Sequence, residues 1–266
     1  MRHLVLLLTT IITLHAGETV DVVLLIGQSN MDGRGKNSDL PAELSAPSPT
    51  IRLFYRNPPA ASDGWVALAP GYSLAPNTKP IIPSATFGPE ISFGPTLVAA
   101  IPTLHLALIK ASKGGTSLEK DWKPGEPGKP DTQGPCYRNL FDTLKVALPA
   151  LGAHRLRGAV WHQGESDAGL PEGEYQRLLA AFIPRLRADL GVADLPFVIG
   201  EVYDNGKRDD VRAGQKAVAA AVPHAAFVPC DGIKTWDNGT HFDAAGQLEL
   251  GRRYATALAG MLKSGK

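Results

Sequence analysis

One segment near the start of the chain constrains the fold more than any other. It is the run Thr19–Ile26, with the sequence TVDVVLLI, which ends at Gly27. Apart from Asp21, its residues are β-branched or aliphatic. A run this short and this apolar predicts a strand that is buried on both faces, as the strands of parallel sheets are. Helices on both sides of the sheet are then needed to cover it.

Other segments repeat this pattern in alternation with helical ones. Further strands are predicted at Leu104–Ile109, Leu156–Trp161, Phe197–Val202 and, as the weakest, Ala225–Val228. Apolar residues at helical spacing predict helices at Glu90–Ala100, Tyr137–Leu148, Glu172–Leu190, Asp209–Ala221 and Asp243–Leu262. The alternation indicates βαβ units, and hence a three-layer α/β/α sandwich with a central, mostly parallel sheet of about five strands.

Two stretches, Asn37–Thr86 and Lys120–Pro135, fit neither pattern. The first is rich in Pro, Ala and Ser, and the second is rich in Pro and Gly. Each contains a tryptophan, Trp65 or Trp122, that is expected to seek burial. We therefore predict ordered loops, which on an α/β scaffold commonly shape the ligand site.

The first sixteen residues have the layout of a secretory signal peptide. Arg2 precedes the apolar run Leu4–Leu14, and small residues follow at Ala16-Gly17. The run is shorter than the about 20 residues of a membrane-spanning helix. We expect cleavage after Ala16, a secreted or periplasmic location, and a single domain over residues 17–266. The alternative is that the run forms a buried first strand or helix.

Charge and cysteine content exclude several classes of partner. The 27 basic and 26 acidic residues leave a formal charge of +1, which favours neither a nucleic-acid nor a membrane partner. Two cysteines, Cys136 and Cys230, allow one disulfide or two free thiols. No cluster has the spacing of a metal site, and no G-x-G-x-x-G follows the first strand, so we expect no metal and no organic cofactor.

Polar clusters follow three of the predicted strands, and a fourth precedes the last helix. They are Gly27-Gln28-Ser29-Asn30-Met31, Lys113-Gly114-Gly115-Thr116, Trp161-His162-Gln163-Gly164-Glu165-Ser166 and Asp237-Asn238-Gly239-Thr240-His241-Phe242. Ligand sites of parallel sheets lie beyond the carboxyl ends of the strands, so we expect these clusters to meet. A serine, a histidine and glycine turns with bare N–H groups suit nucleophilic catalysis.

In this order, the four clusters resemble the SGNH-hydrolase superfamily. More narrowly, they resemble the branch that contains carbohydrate esterase family 6 and the sialate O-acetylesterase-like domains. The likeness runs from about Val20 to about Tyr254. It includes Gly88-Pro89-Glu90 before the first long helix and Gly251-Arg252-Arg253 in the last one.

The resemblance implies a role for each cluster. Ser29 is expected to be the nucleophile and His241 its general base. The oxyanion hole is expected to combine the backbone N–H groups of Ser29 and Gly115 with the side chain of Gln163. These roles agree with the chemistry, because a hydroxyl needs a base, and one oxyanion donor contributes about 10²–10³ in rate.

The acid that orients the histidine is open between two residues. Relatives carry an aspartate three residues before the histidine, but here Asn238 occupies that position and Asp237 lies four residues before. A one-residue bulge at Gly239 would bring Asp237 into place, and we favour this residue. Glu165 is the alternative.

The activity implied by the resemblance is that of a secreted serine esterase that removes O-acetyl groups from carbohydrate, like an acetylxylan esterase. The expected partner is an acetylated oligosaccharide or polysaccharide. The alternatives are a sialate O-acetylesterase and a non-catalytic carbohydrate-binding domain of the same fold. The latter would be expected to have lost Ser29 or His241, and both are present.

Overall fold

A computed structural model describes residues 19–75, 78–236 and 239–265. The predicted signal peptide, residues 1–16, lies outside these ranges, and so do Asp237 and Asn238. Among the described helices, none combines the length and the apolar character that crossing a membrane requires.

Strands and helices alternate along most of the chain. The strands are β1 Val20–Gly27, β2 Gly35–Lys36, β3 Arg52–Asn57, β4 Ala60–Ala61, β5 Val66–Ala67, β6 Thr86–Phe87, β7 Leu106–Ser112, β8 His154–His162, β9 Phe197–Gly200 and β10 Ala225–Val228. The helices are α1 Ser29–Asp32, α2 Glu90–Ala100, α3 Pro135–Ala147, α4 Glu174–Leu190, α5 Asp209–Ala221 and α6 Ala244–Ser264.

The main sheet has β1 near its centre and runs in the order β10-β9-β8-β1-β7-β3-β4, with β5 also paired to β3. Neighbouring strands from β10 to β3 are parallel, while β4 and β5 are antiparallel to β3. β2 and β6 form a separate antiparallel pair. The predicted α/β fold with a mostly parallel central sheet is confirmed.

The strand β3 differs from the sequence expectation, which assigns its residues to a loop. Arginines at positions 52 and 56 flank a short apolar core, so the segment lacks a long apolar run. Its order comes from tertiary contacts that periodicity does not reveal. β3 pairs with β7 along its length, and Phe54 meets Trp65 edge to face, with ring centroids 5.4 Å apart.

Two hydrophobic clusters cover the two faces of the sheet. Val22 and Leu24 of β1 point into the cluster that α3, α4 and α5 complete. Val23 and Leu25 point into the opposite cluster, which α2 and α6 complete. The alternation of side chains along a strand thus explains why β1 is apolar at nearly every position.

The two cysteines are free thiols on opposite faces of the sheet. Cys136 lies in the hydrophobic cluster that α3, α4 and α5 complete, and Cys230 lies in the one that α2 and α6 complete. Both are buried. Burial raises the pKa of each thiol to about 12. Of the two arrangements that the sequence allows, the structure therefore has the unbridged one.

Three central strands end side by side and so define the edge at which a site can form. Gly27 of β1 is in register with Ser112 of β7 and with His162 of β8. Gly27 has φ +141°, and a Cβ there would lie 2.1 Å from the carbonyl oxygen of His162. Only glycine fits this close approach, which lets the chain turn sharply into α1.

A buried ion pair joins β7 to the start of α2. Lys110 Nζ lies 2.8 Å from Glu90 Oε2, and both side chains are 0% exposed. Lys110 also donates to the carbonyl of Tyr72, at 2.8 Å, while Gly88 N donates to Glu90. Burial raises the pKa of Glu90, although Lys110 opposes this effect.

We expect Lys110→Met to destabilise the fold by about 3–5 kcal/mol, because it leaves Glu90 buried without its cation. Chemical denaturation measures the change. Lys145→Met is the matched control, since Lys145 pairs with Asp142 at the surface, and its free energy of unfolding should change little. Equal stability of the two variants would contradict this account.

Candidate active site

Ser29 and His241 meet at the carboxyl edge of the sheet. Ser29 is the first residue of α1, directly after the turn at Gly27, and His241 precedes α6. His241 Nε2 lies 3.0 Å from Ser29 Oγ, which is hydrogen-bond distance. A histidine nitrogen so close to a hydroxyl is arranged to accept its proton.

Asn30 ties the nucleophile turn, which we define as the turn that carries the candidate nucleophile Ser29, to the loop that carries His241. Its Nδ2 donates to the carbonyl of Thr240 at 2.9 Å, and its Oδ1 accepts from Phe242 N at 3.1 Å. These partners flank His241 on both sides. Nδ2 also donates to Glu165 Oε1 at 2.6 Å. The residue next to the candidate nucleophile therefore holds the backbone on either side of the candidate base.

Asp32 ties the same turn to the sheet and to the long loop before α2. The side chain is fully buried, and each oxygen accepts from more than one donor. The donors are Tyr55 Oη, Asn57 Nδ2 and Ser112 Oγ on Oδ1, and Leu74 N and Arg34 Nη1 on Oδ2, all at 2.9–3.1 Å. A buried carboxylate with this many donors is well compensated.

A glycine turn after β7 borders Ser29. A Cβ on Gly114 would lie 3.5 Å from Ser29 Cβ, so the backbone of this turn passes close to the candidate nucleophile. Gly115 has φ +71° and open space where a Cβ would sit. The turn therefore brings bare peptide groups next to Ser29, as an oxyanion hole requires.

The Gln163 side chain is directed inward, which differs from the expectation that it faces the oxyanion. Its Nε2 donates to the carbonyl of Thr116 at 3.0 Å, to Gln28 Oε1 at 3.2 Å and to the Asp167 carboxylate. The residue is 0% exposed. Three acceptors thus surround a group that has two hydrogens, and the amide links the glycine turn to the end of β8.

Glu165 lies beside Asn30 and His162. Its Oε1 is 3.5 Å from His162 Nε2, an ion-pair distance, and 2.6 Å from Asn30 Nδ2. Burial alone would raise the pKa of this carboxyl, but His162 and Asn30 outweigh burial and hold the pKa below its usual range. The other predicted acid, Asp237, lies outside the described residues.

Trp236 stands at the surface next to the candidate base. Its ring is stacked on His241, with centroids 5.9 Å apart and an interplanar angle of 22°, and the residue is 54% exposed. The exposed ring therefore forms part of the surface beside the candidate base. Across the described ranges, no group of three or more His, Cys, Asp or Glu is arranged to hold a metal ion.

Sequence reasoning placed Asn30 in the first polar cluster without a role, and it missed Asp32 and Arg34 as parts of this site. All three follow Ser29 within five residues, and all three are buried. The available signal is their polarity, because an amide, a carboxylate and a guanidinium directly after a buried strand need partners. What the sequence does not contain is the identity of those partners, which come from distant segments.

We expect Asn30→Ala to slow the labelling of Ser29 by a small fluorophosphonate by up to about 10²-fold, because the His241 loop loses its tie to the nucleophile turn. The labelling rate and the thermal midpoint are measured together. Asn139→Ala, which removes an amide bonded to the carbonyl of Arg56, is the control and should label at the normal rate. Normal labelling of the Asn30 variant would argue against this role.

Comparison with solved structures supports the fold. A protein from Arabidopsis thaliana superposes with a TM-score of 0.74 at 22% identity, over 91% of this chain and 99% of that one. For a carbohydrate acetylesterase from Xanthomonas citri, the TM-score is 0.65 at 21% identity, over 92% of this chain and 57% of that one. NanS gives 0.65 at 16% identity, over 92% and 98%.

Comparison with protein families identifies the chain more directly. Residues 19–260 match the family described as carbohydrate esterase, sialic acid-specific acetylesterase. This range contains all four polar clusters and nearly all of the described structure. The chain therefore belongs to the carbohydrate esterase family of sialic acid-specific acetylesterases, which confirms the resemblance seen in its sequence.

Proposed function

We propose that the protein is a serine esterase that removes O-acetyl groups from a carbohydrate through an acetyl-enzyme on Ser29. The observation that carries this proposal is the contact of His241 Nε2 with Ser29 Oγ, at 3.0 Å, beside the glycine turn at 114–115. Membership of a carbohydrate esterase family supports the acetyl ester as the bond that is cleaved.

In the proposed reaction, His241 takes the hydroxyl proton while Ser29 Oγ bonds to the acetyl carbon. The N–H groups of Ser29 and Gly115 face the oxygen that becomes negative. The tetrahedral intermediate then expels the sugar hydroxyl, which receives the proton from His241. Water, deprotonated by the same histidine, attacks the acetyl-enzyme and releases acetate.

A sugar is supported as the alcohol part of the ester by the surface around His241. The exposed ring of Trp236 offers an apolar face, of the kind that packs against sugar rings. The lining of a neighbouring open cleft of about 610 Å³ includes the polar side chains of Tyr203, Asp204, Arg212, Asp231, Lys234 and Thr235. Its many polar groups suit the hydroxyls of a glycan.

Two substrates remain candidates within this proposal. The first is an acetylated polysaccharide or its oligosaccharides, such as acetylxylan, and export of the chain through the peptide at residues 1–16 would bring the enzyme to it. The second is O-acetylated sialic acid, which the description of the family favours.

We expect the wild-type protein to release acetate from at least one acetylated sugar and from 4-nitrophenyl acetate. Ser29→Ala and His241→Ala should each lower kcat by about 10⁴-fold or more, because the nucleophile and its base act as a unit. Acetate release is measured on acetylxylan, on O-acetylated sialic acid and on the chromogenic ester. Activity that survives in the Ser29 variant would refute the mechanism.

For the orienting acid we propose Asp237, since the Glu165 carboxylate already contacts Asn30 and His162. Asp237→Ala should lower kcat by about 10³–10⁴, as the loss of the third member does in such triads. Glu165→Gln keeps the size of the side chain and should stay within about tenfold of wild type. The reverse result would make Glu165 the acid.

A further inference from the structure

Arg34 is a buried cation beside the nucleophile, and its hydrogen bonds within the protein use one of its three nitrogens. The residue is 4% exposed. Nη1 donates to Asp32 Oδ2 at 2.9 Å and to the carbonyl of Gly33. In the described part of the chain, Nε has no partner, and no hydrogen bond involves Nη2. A buried donor without an acceptor, as Nε is here, costs free energy, so the retention of the guanidinium needs a reason.

The ion pair with Asp32 does not account for Arg34. The Asp32 carboxylate accepts four further hydrogen bonds, two of them from Tyr55 and Asn57 of β3. A carboxylate with that many donors is already compensated without a guanidinium. Asp32 instead fixes Nη1, and with it the direction in which Nη2 points.

Nη2 and Ser29 lie on the same side of the glycine turn. A Cβ on residue 114 would lie 2.6 Å from Arg34 Nη2, 3.5 Å from Ser29 Cβ and 3.8 Å from Ser29 Cα. Glycine at this position therefore lets the guanidinium pack against the turn next to Ser29. The same distances place Nη2 within the reach of an acyl group that is bonded to Ser29 Oγ.

The atoms of an ester that come closest to both Ser29 and Nη2 belong to its acyl group. Once Ser29 Oγ attacks, the carbonyl oxygen and the acetyl methyl are both bonded directly to the attacked carbon. A charged group elsewhere on a sugar is several bonds further away, on the leaving-group side. Of the two acyl atoms, the oxygen is the one that gains negative charge and that a cationic donor stabilises.

The side chain that the sequence suggests for this task is occupied elsewhere. The two hydrogens of Gln163 Nε2 are directed to acceptors inside the protein, among them the carbonyl of Thr116 and the Asp167 carboxylate. Gln163 thereby connects the glycine turn to the end of β8. Arg34 has the free donors, and Gln163 does not.

We propose that Arg34 is a catalytic residue whose Nη2 donates a charged hydrogen bond to the acyl oxygen, as a third oxyanion donor beside the N–H groups of Ser29 and Gly115. This assignment rests on the proposed esterase function. As the bond from Ser29 Oγ to the acyl carbon forms, the carbonyl π pair moves onto the oxygen, and the hydroxyl proton moves to His241. The pair returns when the alcohol leaves, so the guanidinium stabilises the intermediate more than the ester.

The test compares Arg34→Met and Arg34→Lys on 4-nitrophenyl acetate, an ester without any charged group. We expect kcat of the methionine variant to fall by about 10²–10³, while KM changes by less than about threefold. Lysine keeps the charge but loses the planar guanidinium, so kcat of Arg34→Lys should lie between the values of the wild type and of Arg34→Met. Ser29→Ala, assayed in parallel, shows that the turnover belongs to this site.

A second measurement separates catalysis from folding. Arg187→Met is the matched control, because Arg187 is also buried but donates to the carbonyls of Leu195 and His224, away from Ser29. It should lower the thermal midpoint without lowering kcat of the folded protein. Millimolar guanidinium should restore part of kcat in Arg34→Ala and none in Ser29→Ala, which a purely structural role of Arg34 would not produce.

Four results would overturn the assignment. If the wild-type protein is active and the Arg34 variants have the same kcat, the Arg34 assignment is overturned while the proposed function stands. A loss confined to O-acetylated sialic acid would mean that Arg34 binds the substrate carboxylate instead. A comparable kcat loss in Gln163→Ala, with normal Arg34 variants, would return the role to Gln163. A wild type that cleaves no acetyl ester would overturn the proposed function, and this assignment with it.

Discussion

The buried carboxylate of Asp32 is the interaction on which the site depends. It lies three residues after Ser29 and accepts hydrogen bonds from β3, from the end of β7, from the loop before α2 and from Arg34. These segments are separated from one another along the chain. A single charge that must be satisfied in the core therefore fixes the nucleophile turn relative to the sheet edge and to the long loop.

Asn30 makes the second connection of the turn, to the segment that carries His241. Asp32 holds the turn from the side of the sheet, whereas Asn30 connects it to Thr240 and Phe242 on either side of His241. Two polar residues of one short helical turn, Asn30 and Asp32, thus face different partners. The chemistry at Ser29 is positioned by its immediate neighbours in sequence, and these reach segments that are remote in sequence.

The sequence alone supports the mostly parallel sheet, the positions of its central strands along the chain and the meeting of the polar clusters, because burial and turn chemistry are local signals. β3 is different, since its order comes from pairing with β7 and from the contact of Phe54 with Trp65. The direction of the Gln163 amide is likewise set by acceptors from other segments, such as Thr116. A pattern along the chain identifies candidate residues, but partners that fold in from afar decide which way they point.

The central contact of the site joins the two ends of the domain. Ser29 and His241 are 212 residues apart in sequence, and the helix that follows His241 packs against α2 and covers one face of the sheet. Contacts of such sequence separation carry a large loop-closure cost and are intrinsically slow to form. During synthesis the hydroxyl emerges from the ribosome long before the imidazole. On the proposed mechanism, the chain is unable to hydrolyse esters until the segment that carries His241 has docked, so recovery of turnover would report this docking.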